Sequence, residues 1–378
     1  MLYAVALVLL TACSADSLAG VELVGPTTIP YTPTPVPPTP TPTPVPIIQV
    51  ATPIPPPAHP PLAPGNAAQL RTLWEVNAHP QGRVLALAFS PDSRLLASAG
   101  QDGTVRVWES ATGREVMAFR GHPQAVLSLA FAPNGRLLAS GGADGAVMLW
   151  EIPPDGAFRN FAPASVRHPG PVNALAFSAD GRTLFAGGRD ITSRSRLLLS
   201  QWTLNTSENE ALALQIAHDT RRIEPATLPL RFHPPTGRFV ATGPDNALLL
   251  AALDDPRVQD TLPASGGTPL AALAFDPAGR RLVAADAGEH ARLYDLTTGA
   301  ERATFALDQP AYALGLSRAV LAAGQADGRL SLWTSSQPDA LTSRAAHSGD
   351  IWALAFNAAG NLLATGGEDG HVRLWAAS

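Results

Sequence analysis

Residues 95–108 read LLASAGQDGTVRVW, and the chain returns to nearly the same phrase as LLASGGADGAVMLW at 137–150 and LLATGGEDGHVRLW at 362–375. The first two copies start 42 residues apart; the second and third start 225 apart, which is five steps of 45. A regular array therefore predicts four degraded copies in the interval. Each clear copy is preceded by an apolar segment: VLALAF (84–89), VLSLAF (126–131) and IWALAF (351–356). Reading at the expected step finds VNALAF (172–177), TLPLRF (227–232), LAALAF (270–275) and AYALGL (311–316). The seven anchors are Phe89, Phe131, Phe177, Phe232, Phe275, Leu316 and Phe356, spaced 42, 46, 55, 43, 41 and 40.

Each unit holds three or four short stretches of near-alternating apolar residues, separated by Gly, Asp, Asn or Pro turns, which is a strand pattern. A period in the low forties with four strands per unit predicts an all-β, seven-bladed β-propeller of four-stranded antiparallel blades. The Asp-Gly pairs at 102–103, 144–145, 327–328 and 369–370 suit tight turns that need positive φ. Small residues in the first strand of each unit fit convergence around a narrow axis. Pro229 falls in one such strand, where an innermost position tolerates the missing donor. Beyond Trp375 the last unit has no fourth strand, whereas QLRTLWEVNAH (69–79) matches GREVMAFRGH (113–122) and PDALTSRAAH (338–347). The strand at 69–76 is therefore expected to pair with the last blade and close the ring, removing two edges that would template aggregation.

The 378 residues carry a net charge of −5 and no lysine, with 26 scattered arginines. No basic face is available to release counterions, so nucleic acid is a poor partner, and Schiff-base chemistry is excluded. Many of the 37 prolines lie in a Pro/Thr-rich stretch, 26–66, that includes TPTPVPPTPTPTPVP (32–46). Such a segment favours polyproline II, cannot pack a core, and reads as a disordered linker reaching roughly 120 Å if fully extended. Ahead of it, residues 1–12 have the short apolar run of a signal peptide, too short to span a bilayer. Leu10-Thr11-Ala12-Cys13 resembles a bacterial lipobox, which implies a lipidated Cys13, a tail over 13–25 and an extracytoplasmic, membrane-anchored lipoprotein. A stray cysteine behind an ordinary leader would instead give a secreted protein.

Over residues 67–378 the repeats resemble the WD40 family. The motif residues are His79, Ser98, Asp102 and Trp108; His122, Ser140, Asp144 and Trp150; and His347, Thr365, Asp369 and Trp375. The resemblance implies a hydrogen-bonded tetrad inside each blade, and buried Asp, His and indole N–H groups are tolerated only when they satisfy one another. Ser, His and Asp also make hydrolases, but sets recurring at strut positions and ending on tryptophan favour structure. The other units depart from the pattern. The third has His168, Asp190 and Trp202 with Ala186 for the hydroxyl, plus an insertion at 191–200 expected to lengthen a hairpin. The fourth offers His218, Asp245 and Leu250; the fifth has Gly288 for Asp and Tyr294 for Trp; the sixth keeps Asp327 and Trp333 without histidine.

No metal-ligand spacing, P-loop or nucleophile elbow is present, so neither metal nor cofactor is expected, and no catalytic residue is assigned. The expected role is a monomeric, non-catalytic scaffold binding a protein or peptide on the face that bears the Asp turns. Family contact positions carry over to Arg83, Gln101, Asn173, Arg189, Tyr312, Asp350, Trp352 and Glu368. A competing reading has Trp352 and Tyr312 only plugging the channel mouth. An enzyme or ligand site in the central channel would want Asp, Glu, His or Asn on the first strands, where Asn173 alone qualifies. A cell-envelope carbohydrate binder would want more free aromatics than 6% of the chain supplies.

Overall fold

The computed structural model describes residues 59–153, 164–192, 196–204, 219–223, 226–253, 259–262, 268–334 and 339–377. The expected signal peptide, Cys13 and most of the expected Pro/Thr-rich linker lie outside these residues, as does His218. Seven four-stranded antiparallel sheets are present, and six of them have their strands in sequence order from one edge to the other. Their first strands are Val84–Phe89, Val126–Phe131, Ala174–Phe177, Thr227–His233, Leu270–Phe275, Ala311–Leu316 and Ile351–Phe356.

The seventh sheet is completed from the other end of the sequence. Strand Leu70–Asn77 pairs with His371–Ala377, in a register that sets Thr72 opposite Trp375 and Asn77 opposite His371. Closure is as visible in the core as in the pairing. Among the described residues the buried apolar side chains fall into seven clusters, each shared by two neighbouring sheets. One joins Val84, Leu96 and Trp108 of the first sheet to Ala353, Ala364 and Val372 of the seventh.

The first strands obey a positional code that the channel dictates. Two residues before the anchor every unit has leucine: Leu87, Leu129, Leu175, Leu230, Leu273, Leu314 and Leu354. One residue before the anchor, six units have alanine or glycine. The reason is contact between blades: a Cβ added at Gly315 would lie 2.3 Å from Leu354 Cδ2 and 3.1 Å from Phe356 Cδ2 of the next sheet. Near the axis only a small residue leaves room for the neighbour's leucine and phenylalanine.

The turns lock one blade to the next. Gly103, Gly145, Gly328 and Gly370 have φ of 75, 79, 77 and 73°. A side chain on Gly370 would stand 2.3 Å from the His79 carbonyl oxygen. In return the His79 N–H donates to Gly370 O at 2.9 Å, and His168 and His347 donate likewise to Gly145 O and Gly328 O. Glycine here serves both the left-handed turn and the close approach of the next blade.

Docked chain begins ahead of the expected boundary at 67. Leu62 is buried in the cluster shared by the sixth and seventh sheets. Its N–H donates to Gly360 O at 2.9 Å, and Asn361 Nδ2 donates to His59 O at 3.1 Å. The last eight residues assigned to the linker (59–66) thus include chain held against the last blade, because Leu62 finds an apolar seat there. In the third blade, the connection between Thr183–Arg189 and Leu197–Thr203 is longer than the Gln101–Gly103 turn of the first, although residues 193–195 lie outside the described set.

Deleting residues 67–78 removes the strand that covers His371–Ala377. The expected result is an aggregating or insoluble product, measured by size-exclusion chromatography and thermal melting; a soluble deletion monomer melting with the parent would refute closure by this strand.

Candidate functional site

Complete tetrads stand in the first and seventh blades, and the second holds the same four residue types with its His–Asp link open. In the first, the Trp108 indole N–H donates to Ser98 Oγ at 3.0 Å, Ser98 Oγ lies 3.0 Å from His79 Nε2, and His79 Nδ1 lies 3.0 Å from Asp102 Oδ1. In the seventh, Trp375 to Thr365, Thr365 to His347 and His347 to Asp369 measure 2.9, 2.8 and 2.9 Å. In the second, Trp150 to Ser140 is 2.7 Å and Ser140 to His122 is 2.8 Å, but His122 Nδ1 and Asp144 are 3.5 Å apart.

The polarity of each chain follows from its ends. An ionised aspartate only accepts, so Nδ1 carries the imidazole proton, Nε2 accepts, and the hydroxyl donates to it while accepting from the indole. Burial pushes the imidazoles of His122 and His347 below the ordinary histidine value of 6.5 despite the neighbouring aspartates. Burial alone would raise the Asp102 carboxyl, but hydrogen bonds from His79 and Thr104 hold it at about 2. Ser98, Ser140 and Thr365 are wholly buried. A hydroxyl already donating to histidine inside a closed sheet has no approach for a substrate.

The incomplete blades substitute other groups. With Ala186 in the third, the hydroxyl comes from the adjacent strand: Ser200, directly opposite Ala186, lies 2.9 Å from His168 Nδ1. In the fifth, the acid sits two residues ahead of Gly288: Asp286 accepts from the Gly288 and His290 N–H groups at 3.0 and 3.1 Å. In the sixth, buried Gln325 takes the histidine's space, accepting from Ser331 Oγ at 2.9 Å and donating to Gln309 O at 3.2 Å. In the fourth, Asp245 occupies a left-handed turn position (φ 51°) and Leu250 is buried.

At the mouth of the channel, on the face bearing the Asp turns, three sheets contribute to one stack. The Tyr312 and Trp352 rings lie 4.7 Å apart and within 5° of parallel, and the Arg83 guanidinium carbon sits 5.1 Å from the centre of a Trp352 ring. Arg83 also pairs with Glu368 at 3.0 Å. Glu368 N–H donates to Asp350 O at 2.8 Å, and Gln101 N–H to Arg83 O at 2.9 Å. Partial burial, then the charge of Glu368, push the Asp350 carboxyl up. Six of the eight expected contact residues are therefore linked in one patch. Asn173 stands apart at the channel wall, and exposed Arg189 joins neither among the described residues.

The channel itself encloses about 480 Å³ and is walled by all seven first strands. One of its residues is a charge that the sequence reading does not single out: Arg231, in the position before the anchor where the other units have alanine or glycine. The signal is legible in TLPLRF against VLALAF. Asn173, His233, Asp276 and Asn357 line the channel too, with His233 bonded to Thr236 and Asp276 paired with Arg281.

Stability should track the neutral imidazoles. Unfolded histidine titrates near 6.5 and the buried His122 and His347 titrate lower, so below pH 6.5 the unfolded chain binds more protons and stability falls with pH. Each contributes up to about 1.4 kcal/mol per pH unit until its folded value is passed. Asp102 adds a second loss as pH falls from 3.8 towards about 2. Denaturant unfolding of His122→Gln between pH 7 and 5 should show a shallower fall than the parent; an unchanged slope means that the ring is not held neutral.

The WD domain, G-beta repeat family profile matches residues 69–109, 113–151, 163–192 and 339–376. A stretch of 41 residues is 51% identical to an uncharacterized WD repeat-containing protein of Nostoc sp., covering 11% of this chain and 3% of that protein. Forty residues are 52% identical to the ribosome biogenesis protein erb1 of Neosartorya fischeri, and forty are 50% identical to its counterpart in Chaetomium thermophilum, covering 11% of this chain and 5% of each relative. The likeness to these relatives is thus the length of a single repeat. Four profile matches within a closed ring of seven four-stranded sheets make the chain a β-propeller of the WD40-repeat family.

Proposed function

We propose that the propeller is a non-catalytic scaffold, held outside the cytoplasm by lipid on Cys13, that binds a protein or peptide on its Asp-turn face. The observation that carries this reading is the Arg83–Trp352–Tyr312 stack, an aromatic shelf assembled from three blades and braced by Glu368. Tryptophan, tyrosine and arginine dominate contact energies because they bury large areas at little rotamer cost, and a stack already formed has less freedom to lose on binding. Asp350 and Glu368 beside it make the patch amphipathic, as an interface centre with a polar rim would be. WD40 propellers commonly act as interaction scaffolds, and the Ser-His-Asp sets here are closed inside sheets, which supports the non-catalytic reading. The Pro/Thr-rich stretch suits a spacer between a lipid anchor and the ring, and stable anchoring needs more than one acyl chain.

Two experiments test the proposal. The full chain, immobilised and exposed to an envelope extract of its source organism, should retain a partner that Trp352→Ala weakens by about 2 kcal/mol, roughly thirtyfold in Kd. Arg189→Glu should weaken it less; if neither substitution affects retention, the chosen face is wrong. Membrane fractionation should find the parent chain with the membranes and Cys13→Ser in the soluble fraction, with mass spectrometry of the mature N-terminus reporting an acylated cysteine. Equal partitioning of the two would remove the anchor.

A further inference from the structure

Arg231 is set where the ring can least accommodate it. The six equivalent positions are Ala88, Ala130, Ala176, Ala274, Gly315 and Ala355, all small because a neighbouring blade packs over them. The side chain is exposed to the channel space, and desolvation by the walls around it pushes its pKa below the usual arginine value. Its hydrogen bond to the protein goes from Nη1 to Leu230 O at 3.0 Å, so most of its five donor hydrogens are uncommitted among the described residues. Asp276, the acid on the same wall, is already taken by Arg281, whose Nε lies 3.2 Å from Asp276 Oδ2.

Two more polar atoms are left without partners in the channel wall. Asn173 Oδ1 and Trp352 Nε1 are buried and unbonded, and both residues line the cavity. They stand four residues before their anchors and Arg231 one residue before its own, a separation of about 10 Å along the strand direction. Between the two levels runs the girdle of leucines. With no ion pair among the described residues, the exposed Arg231 guanidinium presents free donors to an anion entering the channel.

We propose that the axial channel binds a small amphiphilic anion, a carboxylate or phosphate on an apolar body roughly 10 Å long, with its head on Arg231 and its body in the leucine girdle. The guanidinium fork matches either head bidentately. At the far end the unbonded Trp352 Nε1 and Asn173 Oδ1 atoms are closed off from the channel, so the ligand's tail there meets an apolar wall. The cavity volume of about 480 Å³ suits a ligand of this size. The site is independent of the partner face, since its charge lies down the channel from the stack.

Isothermal titration of the full chain with octanoate, octyl phosphate and octanol tests it. At least one anionic probe should bind at one site per chain, and octanol at least tenfold more weakly. Arg231→Met should weaken the anion at least thirtyfold, while Arg231→Lys retains part of the affinity. Arg231→Met keeps the aliphatic stem and should stay folded, as its melting temperature will report. Octanoate binding with octyl phosphate excluded identifies a carboxylate ligand, and the converse a phosphate. Failure of both anions to saturate the chain overturns the proposal, as does a folded Arg231→Met that binds them like the parent. Loss of partner retention in Trp352→Ala, with anion binding intact, would leave the face and the channel as separate sites.

Discussion

His79 belongs to two sheets at once. Its ring, wholly buried, takes the Ser98 hydroxyl proton on Nε2 and gives its own to Asp102, while its backbone N–H reaches back to Gly370 O in the seventh blade. The side chain thus fixes the loop to its own sheet and the main chain fixes it to the previous one. His347 repeats the arrangement between the sixth and seventh blades. In a ring whose sheets meet largely through apolar packing, which is non-directional, these bonds help set the height at which each blade meets the next. The arrangement holds only with a neutral imidazole, because a second ring proton would leave the hydroxyl with no acceptor at Nε2.

The same ring dictates a glycine. Gly100, Gly142 and Gly367 close the second strands of the first, second and seventh blades, each opposite the first residue of the inner strand. A Cβ there would lie 2.3, 2.6 and 2.3 Å from the Nδ1 atoms of His79, His122 and His347. At the matching register positions the fifth and sixth blades carry Asp286 and Gln325. There a polar side chain from the strand itself takes over: Asp286 caps the turn that follows it, and Gln325 ties Ser331 to the Gln309 carbonyl. Loss of the motif is thus compensated within the blade, which accounts for degraded repeats in a ring that still closes.

Much of this could be read from the chain. The repeat spacing gave the sheet count, and the unmatched segment at 69–79 gave the closing strand, because apolar periodicity and turn chemistry are local. Substitutions that act across strands could not be read the same way. Ser200 stands in for Ala186 only through antiparallel register, and Asp286 does the work of a turn aspartate from two residues away. Leu62 reads as linker because its neighbours are prolines, whereas its seat is formed by residues some three hundred positions later. For the face, the family positions of Arg83, Tyr312 and Trp352 pointed to one region, but their stacking depends on loop geometry that no periodicity encodes.

Arg231 shows how a repeat exposes function by contrast. In a single domain an arginine on a strand is unremarkable, since most arginines find water or an acid. Here six internal copies define what the position requires, and the requirement is a methyl group or less. The seventh copy breaks it with the bulkiest cation available and leaves it no acid to neutralise. A propeller has no packing reason to do so, because alanine satisfies every constraint at that level of the ring. The residue is best accounted for by an occupant of the channel, for which the exposed guanidinium is the seat.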